Sequence, residues 1–379
     1  MNRIFSLARL WAIVRKEFVQ MRRDRLTFAM MVGIPIIQLA LFGFAINTDP
    51  KHLPTAVRSA DHSAFSHALE TSLRHSDYFD IVARAGSEAE GQALLAAGEV
   101  QFVLSIPADF SHRLLRGEQP QVLLEADATD PAATSNALAA LSRIEAQSLT
   151  PLLRGPLADL QGDQSTPFEF VVHRRYNPEG VTQYNIVPGL MGVILTMTMV
   201  VMTALAVTRE HERGTMENLL AMPIKPLEVM VGKIVPYIFV GFVQVAVILA
   251  AARWVFHVPM LGSMVLLVAG TLLFIIANLT VGITFSSVAR NQAQAMQMSI
   301  FFFLPSILLS GFMFPFRGMP LWARYLGEGL PLTHFLRFVR GLLLKGNGWE
   351  LLWPHIWPLL VFMVVVMLLG LLRYRRTLD

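Results

Sequence analysis

The sequence predicts an α-helical polytopic membrane protein, with six transmembrane helices and a mixed α/β extracytoplasmic domain inserted between the first two. Three observations carry this. Of the 379 residues, 54% are hydrophobic and only 15% charged, against about 25% charged in an ordinary soluble domain. The apolar residues gather into runs long enough to cross a bilayer. The basic residues flank those runs, so the net charge of +4 belongs to a membrane surface and no nucleic-acid partner is expected.

Residues 1–25 open the chain. Leu7, Leu10, Trp11, Val14, Phe18 and Met21 recur at helical spacing, with Arg9, Lys16, Gln20 and Arg23 opposite. This is the pattern of a basic amphipathic helix lying in the cytoplasmic membrane interface. Residues 26–46 are the first span: Leu26–Ile46 is free of charge, and at about 1.5 Å per residue it covers the roughly 30 Å hydrocarbon core. It is too long and starts too late for a cleaved signal peptide, so it reads as an anchor.

Residues 47–185 form the inserted domain. Thr55–Ser59, Gln101–Ile106, Gln121–Glu125 and Phe168–His173 are short runs of strand type. Glu88–Ala97 and Ala132–Leu153 read as helices, and prolines punctuate the units. The later spans are Ile186–Val207, Ile234–Val255, Met264–Val288, Met296–Phe314 and Ile356–Leu372. They divide the chain into a second span at 186–207, a charged cytoplasmic loop at 208–233 and spans three to five at 234–314. An external segment at 315–353 precedes the sixth span and tail at 354–379.

Loop charge sets the orientation. Seven Lys/Arg residues precede the first span, and Arg209, Arg213, Lys225, Lys233, Arg290, Arg373, Arg375 and Arg376 fall on the same side. The opposite loop Phe256–Ser263 has none, which puts both termini in the cytoplasm of a bacterial inner membrane and residues 47–185 in the periplasm. The five basic residues of 315–353 run against that rule.

Several chemistries fail on the residues. The chain has no cysteine, which removes disulfides and thiolate sites. His211-Glu212 begins a zinc-protease motif, but position 215 is Thr215 and the second ligand is missing. The six histidines of the inserted domain match no metal-ligand spacing. No phosphate-cradling G-x-x-x-x-G-K-[ST] occurs, so the chain is not itself an ATPase. None of the six span cores holds Asp or Glu, which weighs against proton or sodium coupling. Polar residues inside spans, among them Thr196, Ser306 and Ser310, are to face neighbouring helices or a cavity.

The strongest local signal follows the second span. Arg209-Glu210-His211-Glu212-Arg213-Gly214-Thr215-Met216-Glu217-Asn218-Leu219-Leu220, with Pro223 and Gly232-Lys233 beyond it, is a short charged stretch continuous with a membrane helix. These residues resemble the permease subunits of the ABC-2 type exporter family, in the form with a large periplasmic insertion found among multidrug-efflux-like bacterial permeases. Arg175-Tyr176-Asn177-Pro178, Val187-Pro188-Gly189, Leu304-Pro305-Ser306, Leu309-Ser310-Gly311-Phe312, Pro331-Leu332-Thr333 and Arg340-Gly341 extend the likeness over most of the chain.

The resemblance implies that two permease chains pair, identical or related, and that each docks on a cytoplasmic ATP-binding subunit holding MgATP. Arg209, Glu210, Glu212, Arg213, Gly214, Thr215, Glu217 and Leu220 would form the element coupling the spans to that subunit. Asn185, Thr196, Thr203, Phe302, Phe303, Ser306 and Ser310 would line a substrate path between paired copies. Residues 315–353 would be a re-entrant external hairpin, with Arg337 and Lys345 snorkelling to the outer interface. The inserted domain gates the exit, docks a periplasmic adaptor or is a spacer. A proton-coupled secondary transporter and a non-transporting scaffold or sensor remain alternatives, and the cargo is not legible. The topology predicts that single cysteines replacing Ser63, Asn218 and Thr377 differ in intact cells: a membrane-impermeant thiol reagent labels only the first, and labelling at Asn218→Cys reverses the orientation.

Overall fold

A computed structural model describes residues 50–153, 166–212 and 226–375. The amphipathic segment 1–25, the first span at 26–46 and most of the charged stretch after Glu212 lie outside these residues.

The inserted domain is a five-stranded mixed sheet of order β2-β1-β3-β4-β5. Its strands are β1 (Leu53–Ser59), β2 (Phe79–Arg84), β3 (Phe102–Ile106), β4 (Gln121–Asp127) and β5 (Glu169–Arg175). β1 pairs in parallel with β2 and β3, β3 runs antiparallel to β4, and β4 runs parallel to β5. Parallel neighbours need long crossovers, and helices supply them. α1 (Ala64–His75) joins β1 to β2, α2 (Glu88–Ala97) joins β2 to β3, and α4 (Pro131–Gln147) precedes β5, while the short α3 (Phe110–Leu115) links β3 to β4. One face carries the main core, including Leu69, Leu73, Phe79, Phe102, Phe110 and Leu141. The other face buries Ala56 and Val103 against Leu95 and Val100 at the end of α2.

Each strand expected from the sequence is present within about two residues at either end. β2, α1 and α3 were not anticipated, and α4 ends at Gln147, six residues before the expected Leu153. Phe79–Arg84 alternates between buried and accessible positions along one sheet edge, so it lacks the continuous apolar run that marks a buried strand.

Among the described residues five helices are long and apolar enough to cross a membrane: α5 (Thr182–Glu212), α6 (Pro226–Trp254), α7 (Met264–Val288), α8 (Gln292–Leu309) and α11 (Trp349–Arg375). α7 sits centrally, packed chiefly against α5 and α11. At Gly282 an added Cβ would lie 2.6 Å from the Val200 carbonyl oxygen and 2.8 Å from Thr203 Cβ. The missing side chain therefore sets how close α5 and α7 can come. α8 begins four residues before the expected Met296 because Asn291 caps it, accepting from the Gln294 amide at 2.8 Å. It ends five residues before the expected Phe314 because Gly311 turns the chain in the left-handed region at φ 84°.

Within residues 315–353, α9 (Leu321–Glu328) and α10 (Pro331–Leu343) make a helical hairpin leading into α11. α10 is sunk into the bundle: Phe335, Leu336, Phe338, Val339 and Leu342 are buried in the main helical core. The Phe335 ring stacks on Phe274 with centroids 4.0 Å apart. Outward faces of the long helices stay apolar, as Phe239, Val247, Val265, Val361 and Leu369 show. So extended an apolar surface suits lipid or another chain, not water. Gly282→Leu is expected to destabilise by about 1–3 kcal/mol through overpacking, read as a lower thermal unfolding midpoint. Gly348→Ala, with nothing within 4 Å of its added Cβ, leaves the midpoint unchanged.

Candidate functional site

The corner between the sheet and α5 is built by Arg175, Tyr176 and Asn177. Arg175 Nη2 lies 2.5 Å from Glu125 Oε1 and ties the end of β5 to β4. Tyr176 turns the chain with φ 68°. Burial, with the nearby Asp127 charge, pushes its phenol up to about 12. Asn177 is fully buried. Its amide donates to the Val181 carbonyl at 3.0 Å and accepts from the Val181 N–H at 2.9 Å, so α5 starts in a fixed direction.

The same corner meets the hairpin. The last carbonyls of a helix lack partners within it, and those of α2 are met from residues 317–347. Lys345 Nζ donates to the Leu95 carbonyl at 3.1 Å, Asn347 Nδ2 to Ala96 at 3.1 Å, and Arg317 Nη2 to Gly98 at 2.6 Å. Cations suit the negative end of a helix. Lys345 also pairs with Asp127 Oδ2 at 2.6 Å, with both side chains under a tenth exposed, and stands 5.1 Å from the Tyr176 ring centroid.

Between domain and hairpin lies a cavity of about 350 Å³. Arg317, Arg324, Arg337, Arg340 and Lys345 all contribute to its wall, as do Asp127, Asp130 and Glu328. These are the five basic residues of 315–353. Lys345 therefore does not snorkel; it turns inward to Asp127 and the Leu95 carbonyl of the sheet domain, whereas Arg337, about a third exposed, pairs with Glu328 of the hairpin itself. Arg337 holds Glu328 through two bonds, at 2.7 and 3.0 Å, and lies 4.5 Å from the Phe316 ring centroid. Burial raises the Glu328 carboxyl, but these Arg337 bonds and charge outweigh it and the net shift is downward. His334 Nε2 lies 2.8 Å from the Glu328 carbonyl, and burial lowers its imidazole.

At the other end of α5, Glu212 accepts from the Gln292 amide at 2.8 Å and from Gln292 Nε2 at 2.6 Å. The carboxylate thus sits on the first turn of α8, where the helix dipole favours it. These two bonds from Gln292 lower its proton affinity. Arg209 Nε reaches Gln292 Oε1 at 3.4 Å. Arg213, Gly214, Thr215, Glu217 and Leu220 lie outside the described residues, and of Glu210 only the helical backbone is described.

The path candidates are scattered in the single chain. Asn185 Nδ2 donates to Asp130 Oδ1 at 3.1 Å, which places it at the domain junction. Thr196, Thr203, Ser306 and Ser310 are buried; Thr203 and Ser306 donate to their own helix, to Met199 and Phe302. Phe302 meets Phe285 edge to face, Phe303 packs on the main core, and Ser310 borders the cavity. Sequence reasoning missed Asp127, Asp130, Lys345 and Asn347 as one group. The signal that could have found them was the surplus of basic residues in 315–353. Among the described residues no three His, Cys, Asp or Glu side chains converge as a metal site would require.

A family model described as ABC-2 family transporter protein matches residues 25–372. The chain belongs to the ABC-2 transporter family. It is similar to the probable multidrug ABC transporter permease YbhR of Escherichia coli, 29% identical over 93% of this chain and 94% of the relative. The probable multidrug ABC transporter permease YbhS is 29% identical over the full length of both chains. The inner membrane transport permease YhhJ is 31% identical over 86% of each. The ABC-2 chain is accordingly a membrane permease of an ABC exporter. Removing one partner of a buried ion pair costs about 3–5 kcal/mol. Lys345→Met in this permease is expected to lose that much stability, and the added change Asp127→Asn to recover part of it, in a double-mutant cycle of unfolding free energies.

Proposed function

We propose that the permease moves a hydrophobic or amphiphilic substrate outward, driven by MgATP hydrolysed on a separate cytoplasmic subunit. In this reading Leu26–Ile46 is a sixth span, both termini are cytoplasmic, and the sheet domain stands on the periplasmic side. The observation that carries it is the continuity of α5, one helix from the domain corner at Thr182 to the charged end at Glu212. Force applied to residues 209–222 has a rigid lever to act on, and the Glu212–Gln292 bonds pass it to α8 as well.

Two chains pair, and the substrate passes between their copies of α5 and α8. Thr196, Thr203, Ser306 and Ser310 are buried within one chain, so a cargo reaches them when the middles of α5 and α8 rearrange while their charged ends stay joined through Glu212 and Gln292, the movement that closure of the ATP-binding subunits would drive. Asn185, Phe302 and Phe303 complete the path. The relatives named as multidrug permeases and the apolar outward faces of α5 and α8 support an amphiphilic cargo.

Glu212 and Gly214 belong to the coupling element together with Arg209, Glu210, Arg213, Thr215, Glu217 and Leu220. Glu212→Gln and Gly214→Val are expected to lower export by roughly tenfold while the complex, purified with its ATP-binding subunit, still assembles and hydrolyses MgATP. Export at the unmodified rate in both variants rejects the assignment.

A further inference from the structure

We propose that the cavity between the sheet domain and the α9–α10 hairpin is a binding site for a phosphate-type anionic group, presented at headgroup depth by an amphiphile.

The charges of the wall do not cancel. Lys345 is neutralised by Asp127 and Arg337 by Glu328. Arg317, Arg324 and Arg340 remain, with Asp130 as the one carboxylate left over among the lining residues. Three cations against one carboxylate leave a surplus of two positive charges. The Asp130 carboxylate already accepts from Asn185 at 3.1 Å.

Arg340 defines the ligand chemistry. Its Nη1 donates to the Gly311 carbonyl at 3.2 Å, while Nε and Nη2 are buried and have no hydrogen-bond partner among the described residues. Those two atoms form one edge of the guanidinium, a fork that matches two oxygens of a phosphate or carboxylate. An anion that draws this guanidinium edge into the cavity answers both the unpartnered donors and the surplus charge. The cavity, about 350 Å³, lies within the range of small-ligand pockets, roughly 300–1,000 Å³.

The surroundings place it at a membrane surface. α9 turns Arg324 toward the cavity while Leu321, Trp322, Tyr325 and Leu326 are exposed on its outer side. An aromatic and apolar outer face backed by an arginine suits the interfacial belt of a bilayer. Trp349, Trp353 and Trp357 are likewise exposed at the start of α11. A phospholipid in the leaflet on the side of the soluble domain would present its phosphate at this depth.

The test uses the full-length chain in detergent, following thermal unfolding by tryptophan fluorescence. Dihexanoyl phosphatidylglycerol below its micellar concentration, dihexanoyl phosphatidylcholine and inorganic phosphate are titrated separately. The phosphatidylglycerol is expected to raise the unfolding midpoint saturably. Arg324→Gln, which removes no bond present in the fold, and Arg340→Gln should each weaken that response roughly tenfold or more. Saturable stabilisation by inorganic phosphate with the same arginine dependence supports the site and assigns free anion as its source. A response to phosphatidylglycerol alone assigns the lipid headgroup. No saturable effect of either anion, or one that both variants retain in full, overturns the proposal. None of these outcomes depends on which substrate is exported or on coupling to ATP.

Discussion

The architecture depends on α5 continuing as one helix past Pro188 and being held closely against α7. Gly282 permits that approach, since any side chain there would strike the Val200 carbonyl and Thr203. With the middle fixed, both ends of α5 acquire defined surroundings. One end emerges from a corner locked by Asn177 and Val181. The other delivers Glu212 to the first turn of α8. A membrane permease driven from a separate ATP-binding subunit needs such a member, because force applied at one end is useful only if the helix does not yield along its length.

A second constraint governs the polar groups. Apolar surroundings penalise every unsatisfied donor or charge, so hydroxyls within the long helices bond mostly to their own backbones, as Thr203, Thr208, Ser299 and Thr284 do. The Thr198–Gln244 bond between α5 and α6 departs from this pattern. Charges gather where the soluble domain can answer them. The hairpin brings five cations, and the domain supplies Asp127, Asp130 and the terminal carbonyls of α2. Domain and hairpin are therefore fastened electrostatically, and any movement of one is felt by the other.

Much of this was legible in the residues. Met264–Val288 has the bounds expected from its apolar run, and Ala-rich and β-branched stretches marked most of the sheet domain. Phe335, Leu336, Val339, Leu342 and Leu343 recur at helical spacing in the sequence, and α10 buries all five. What failed were inferences about direction. Lys345 was expected to snorkel, because composition alone does not show Asp127 as its partner. Asp127 lies 218 residues from Lys345 in the chain, a separation that local pattern cannot bridge. The edge strand β2 was missed for a related reason, since half its side chains face outward and its pairing with β1 is not local.

The central claim is that α5 and α8 move as one body at their charged ends. The chain has no cysteine, so Glu212→Cys and Gln292→Cys can be joined by a short, reducible thiol cross-linker in the assembled exporter. The measurement is export and ATP hydrolysis before and after reduction. The account predicts that the cross-linked exporter transports better than the same double variant after reduction, in which the Glu212–Gln292 joint is lost. Export lost on cross-linking and restored by reduction would show that α5 and α8 must separate there, and would contradict it.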